Sequence, residues 1–138
     1  MESKNYTDIE QSKKLAKILS KESADMMYGY IAPYDYSDRM FDGGYDEIPY
    51  PKDFFKVNPN FSENEYDGEL PCWSLTALLE FLRNRHDCNY VTLTSNKASL
   101  WCLRTSYYNH VWEDAEEVSE NAVDACVKMI LRLEDQKR

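Results

Sequence analysis

Between Asp35 and Glu69 the chain can sustain neither a long helix nor a regular strand. Pro49, Pro51 and Pro59 and the Gly43-Gly44 pair interrupt it at short intervals, and each proline removes a backbone donor that a helix or ladder needs. Ten acidic residues against three basic ones place seven of the nine net negative charges in this window. Eight aromatics share it: Tyr36, Phe41, Tyr45, Tyr50, Phe54, Phe55, Phe61 and Tyr66. Ordinary disordered sequence is poor in rings, so the segment reads as a long ordered loop inserted in a single domain of 138 residues. Loops of that length persist in compact domains where they bind or cover something.

The flanks are regular. Thr7-Asp8-Ile9-Glu10 reads as a capping box, with Thr7 as the cap and Glu10 reaching back to it. Ile9, Leu15, Ala16, Ile18 and Leu19 then recur at helical spacing to about Ser20. The run from Met26 to Ile31, ended by Pro33, predicts a strand, with Gly29 marking a bulge or a close approach of backbone. A second helix starts after the cap Ser74, carries Leu75, Leu78, Leu79 and Leu82 on one face, and stops between Asn84 and Asp87. Tyr90 to Thr94 and Leu100 to Thr105, joined through Ser95-Asn96-Lys97, predict a hairpin, and Tyr107 to Trp112 either prolongs its second strand or begins a third. A last helix opens at the cap Asn121, buries Val123, Cys126, Val127, Ile130 and Leu133, turns Lys128, Arg132 and Glu134 outward, and frays over Gln136 to Arg138. The order helix, strand, loop, helix, hairpin, helix predicts an α+β fold with three helices on one face of a small, mainly antiparallel sheet.

Charge and hydropathy exclude several function classes. With 30% charged residues and a mean hydropathy of -0.70, the chain has no run of about 20 apolar residues that would span a bilayer. Met1 to Asn5 leads into a charged amphipathic stretch without a secretory pattern, so a cytoplasmic location is expected. A net charge of -9 opposes direct binding of nucleic acid, and Lys13, Lys14, Lys17 and Lys21 read as the solvated face of the first helix. Cys72, Cys88, Cys102 and Cys126 are widely spaced, without a C-x-x-C pair, and read as reduced thiols.

Leu70-Pro71-Cys72-Trp73-Ser74-Leu75 and Val123-Asp124-Ala125-Cys126-Val127, with Thr7 to Ala16 and Glu22 to Met26, resemble a group of small proteins from anaerobic gut bacteria and their mobile elements. The resemblance covers both ends and the second helix but not the acidic centre. It implies one α+β unit in a bacterial or phage setting and transfers no activity and no site residue.

No catalytic, cofactor or metal site is expected. Cys72, His86, Cys88 and Cys102 have zinc chemistry but lack paired knuckle spacing, and Asp42, Asp46 and Glu47 lack the EF-hand pattern. His86 reads as a histidine at a helix end, where the dipole favours its cation. Trp73 reads as a staple on the second helix and Trp101 as a core residue. The expected function is a non-catalytic module that binds a protein partner, or a further copy of itself, through Tyr36, Tyr45, Asp46, Tyr50, Phe54 and Trp112. Rings among carboxylates give contact area at small entropic cost. The alternatives are an acidic loop that imitates a nucleic-acid backbone in the groove of a nucleic-acid enzyme, and a cysteine-dependent enzyme using Cys72 or Cys88 with a histidine.

Overall fold

Met26–Ile31 forms the strand β1 that its aromatic, apolar sequence predicts, and β1 organises one of two antiparallel sheets. A computed structural model describes residues 4–31, 44–53, 66–96 and 98–135. Those residues are α+β, with three α-helices, and the chain divides into two compact units: Asp8–Trp73, and Met1–Thr7 together with Ser74–Arg138.

In the Asp8–Trp73 unit, helix α1 spans Ile9–Ala16 and starts one residue later than expected. Asp8, not Thr7, is the cap: its carboxylate accepts from the Gln11 N–H at 2.7 Å, while Gln11 Oε1 accepts from the Asp8 N–H at 3.1 Å. An aspartate cap carries full negative charge to the positive end of the helix, which favours this frame over the threonine one. The shift moves the third helical position from Glu10 to Gln11. The helix also ends earlier, and the apolar stripe is corrected at Ala16, which is exposed, while Ser12 is fully buried beside Leu15.

β1 is the centre of its sheet. Along one side runs β4 (Tyr66–Cys72), antiparallel, with a register shift between Tyr30 and Ile31. Along the other side lie two short pieces end to end, β2 (Gly44–Tyr45) opposite Ile31 and Tyr30, and β3 (Tyr50–Pro51) opposite Met27 and Met26. The expected loop is therefore corrected over 44–45, 50–51 and 66–69, which are strand. β-propensity alone hides them, because Asp67-Gly68-Glu69 is a poor strand sequence that pairing with β1 overrides. Gly44 sits at φ +145°, a backbone state that side chains rarely adopt, so glycine is required there. Pro49 and Pro51 confine this side of the sheet to short pieces, consistent with proline at edges. The unit's core holds Leu15, Leu19, Met27, Tyr28, Leu70, Cys72 and Trp73, and the Trp73 indole N–H donates to Ser23 Oγ at 2.9 Å.

In the discontinuous unit, Ser74 caps helix α2 (Leu75–Arg83) by accepting from the Ala77 N–H at 3.1 Å. Strands β5 (Cys88–Ser95), β6 (Trp101–Asn109) and β7 (Val111–Ser119) form a meander, and helix α3 (Ala122–Asp135) follows with Asn121 capping it through the Asp124 N–H at 2.8 Å. Tyr107 to Trp112 thus does both things its sequence allowed: it ends β6, turns at His110 (φ 69°), and begins β7. α2 and α3 pack on each other and on one face of this sheet. Leu78, Leu82, Leu103, Val123, Cys126, Met129 and Ile130 make its core, with no more than 0% of each exposed. The N-terminal residues close the unit: Tyr6 bridges to Ser74, the Leu75 N–H donates to the Asn5 carbonyl, and Lys4 pairs with Asp124 at 2.8 Å. Arg85, nearly buried behind α2, pairs with Asp87 at 2.7 Å and with Glu134, and its guanidinium lies 5.8 Å from the Phe81 ring centre.

Candidate functional site

The two faces of the meander differ because side chains alternate along each strand. Leu103, Thr105, Tyr107 and Ala115 are buried on the face that the helices cover. The opposite face is open, and its side chains fall into rows across the three strands: Tyr90, Ser106 and Asp114; Thr92, Arg104 and Glu116; Thr94, Cys102 and Val118. Beyond these, Tyr108 stands opposite Trp112 beside the tight turn at His110, with ring centres 5.5 Å apart and planes tilted by 58°. Trp112 is 54% exposed, Tyr108 53% and Tyr90 43%. Large rings left this open are uncommon on a surface without a binding role.

Ser106 contributes little surface to the face. It is small and buried between Tyr90 and Asp114 in its row, with Arg104 and Glu116 on the next row. The two rows enclose an open hollow of about 320 Å³ lined by Tyr90, Arg104, Asp114, Ala115 and Glu116. Arg104 Nε donates to Glu116 Oε2 at 2.7 Å, which holds the Glu116 carboxyl below the usual carboxylate range. Asp114 has no cationic partner among the described residues. The hollow therefore presents an aromatic wall and an uncompensated carboxylate, the environment that suits a lysine or arginine side chain.

The residues expected from sequence separate into three sets. Trp112 lies on the open face just described. Tyr45, Asp46 and Tyr50 come together along one edge of β1, all half-buried. There the Asp46 N–H donates to the Gly29 carbonyl at 2.9 Å, and Lys13 Nζ stands 5.8 Å from the Tyr45 ring centre. Tyr36 and Phe54 lie outside the described residues. Tyr90, Tyr108 and Asp114 were missed, although alternation in Tyr90-Val91-Thr92-Leu93-Thr94 marks Tyr90 as the outward member of its strand.

Cys72 and Cys126 are buried and Cys88 and Cys102 half-buried, all as free thiols. Burial pushes the Cys88 thiol up and raises Cys126 to about 12. These are the opposite of the depressed values that make a cysteine a nucleophile. Among the described residues no group of three His, Cys, Asp or Glu side chains is placed to hold a metal ion, and no helix is long and apolar enough to cross a membrane.

No protein-family model matches this chain, and neither a curated protein nor a solved structure matches it.

Proposed function

We propose that this chain is a non-catalytic interaction module that binds a protein partner through the open face of the β5-β6-β7 sheet. The observation that carries the reading is the coincidence, on one rigid face, of the exposed Tyr108 and Trp112 pair with the Tyr90 and Asp114 hollow. Tyr and Trp anchor contacts at low entropic cost, and a sheet holds them in fixed register. The partner carries a lysine or arginine that enters the hollow, flanked by apolar side chains that meet Trp112 and Tyr108. A net charge of -9 adds long-range attraction toward such a basic surface. The raised thiols of Cys88 and Cys126 favour this reading over cysteine catalysis.

The test is a quantitative capture experiment with the wild-type chain, Trp112→Ala and Asp114→Lys, each checked for native circular dichroism. Proteins that the wild type retains and both variants lose, with retention falling as salt rises, are the expected result. An identical set captured by all three chains refutes the assignment of this face.

A further inference from the structure

The two edges of the meander are finished differently. On β7, side chains of α3 occupy the outward carbonyls: Lys128 Nζ donates to the Val118 carbonyl at 3.2 Å, and Arg132 Nη1 to the Glu116 carbonyl at 3.2 Å. Arg132 also pairs with Glu117 at 3.1 Å. Four carboxylates on that strand, Glu113, Asp114, Glu116 and Glu117, further oppose the approach of another acidic chain. Among the described residues β5 has neither protection, although Leu82 and Arg83 of α2 stand beside its first half. Its eight residues, Cys88 to Ser95, include no charge and no proline in a chain where 30% of residues are charged. Among the described residues no strand pairs with its outer side.

Two hydrogen bonds establish which backbone groups β5 leaves open. The Asn96 N–H donates to the Leu100 carbonyl at 3.0 Å, and the Tyr90 carbonyl accepts from Thr105 Oγ1 at 2.6 Å, so even-numbered positions turn toward β6. By alternation, Val91 and Leu93 turn their N–H and C=O groups away from the sheet. A long, uncharged edge with open donors and acceptors is a template for another strand.

We propose that β5 pairs with β5 of a second copy of this chain, antiparallel about a two-fold axis through Thr92, which joins the two meanders into one six-stranded sheet. The strand is self-complementary in that register. Val91 of each copy faces Leu93 of the other in hydrogen-bonded pairs, and Tyr90 faces Thr94 on the open side, an aromatic against a β-branched residue. Thr92 meets its own copy in a close, non-hydrogen-bonded pair. Because β5 is neutral, two chains of net charge -9 meet where neither places a carboxylate. The proposal concerns an edge, and it stands whether or not the open face binds a different protein.

Sedimentation velocity at rising concentration gives the first readout: mass is expected to move from 16.3 kDa toward twice that value, within a range that reaches about 1 mM, since an edge pairing is a small interface. In a Cys88→Ser, Cys102→Ser background, Thr92→Cys is expected to form a disulfide between copies under mild oxidation, because close pairs bring Cα atoms to about 4.5 Å. Thr94→Cys, opposite Tyr90, is expected not to. Thr92→Lys sets two ammonium groups face to face and lowers association at least about tenfold. Cross-linking through position 94 as fast as through 92 overturns the register. A chain that stays monomeric to about 1 mM and does not cross-link overturns self-pairing, and capture of an extended peptide by β5 in that case assigns the edge to another protein.

Discussion

β5 and β7 border the same sheet and share β6 as a neighbour, yet one carries four carboxylates under a cover of cations and the other carries no charge at all. The difference lies in what α3 reaches. Lys128 and Arg132 project toward β7, so the sequence reading that turned Arg132 and Glu134 simply outward is corrected: Arg132 caps the β7 edge, and Glu134 reaches Arg85 at the foot of β5. α3 packs on β7 and β6 and α2 on β5, but among the described residues only α3 sends cations to edge carbonyls. Lys and Arg stems span the remaining distance on that side because their apolar lengths lie along the strand while the charge finds carbonyls.

Four substitutions probe this contrast, in falling order of effect. Arg85 anchors the start of β5, and removing it takes the guanidinium away from the Asp87 and Glu134 carboxylates. Arg85→Ala is expected to cost about 3 kcal/mol, read from urea denaturation. The same cluster gives a signature in acid. The hydrogen bond from Arg85 holds the Asp87 carboxyl below its usual range, so its contribution is present above about pH 4 and is lost as pH falls through the lowered folded value. Asp87→Asn is expected to flatten the fall in stability below that pH. A slope unchanged by the substitution sinks the ion-pair account of β5.

Arg132→Ala removes two bonds from the β7 edge and is expected to cost about 1 kcal/mol, with faster amide exchange in β7. It should leave self-association unchanged, because the carboxylates still repel. New association through β7 would show that the cations, and not the acids, keep that edge unpaired. Arg104→Ala is expected to have the smallest effect, indistinguishable from wild type in denaturation, since the Arg104 and Glu116 pair lies in open solvent where water and salt screen it.

Much of the fold was legible because local chemistry and tertiary packing agree. β1 ends where its aromatic run ends, Ser74 and Asn121 cap the helices they were expected to cap, and the apolar stripe of α3 is buried as read. β7 was only half visible, since Glu113-Asp114-Ala115-Glu116-Glu117 has no strand propensity. One face of it is open, the other lies under α3, and pairing with β6 along one edge holds it in place, so its charges are tolerated. β2, β3 and the first part of β4 were read as loop for a related reason: they are strands through their partner β1. In the candidate site, Trp112 was legible as a large ring beside a polar turn. The hollow was not, because it depends on Tyr90 and Asp114 coming into one row beside that of Arg104 and Glu116. Those rows are set by the register of three strands, which no local pattern encodes.

The seam between Tyr6 and Ser74, with Lys4 reaching Asp124 across 120 positions of sequence, has a temporal consequence. A ribosome releases the first of these residues several seconds before their counterparts, at about 5–20 residues per second. The leading segment must wait, unpaired, while Asp8–Trp73 is made. The discontinuous unit is therefore the later of the two to close during synthesis, and chains that end before α3 lack the Lys4 and Asp124 pair of that seam.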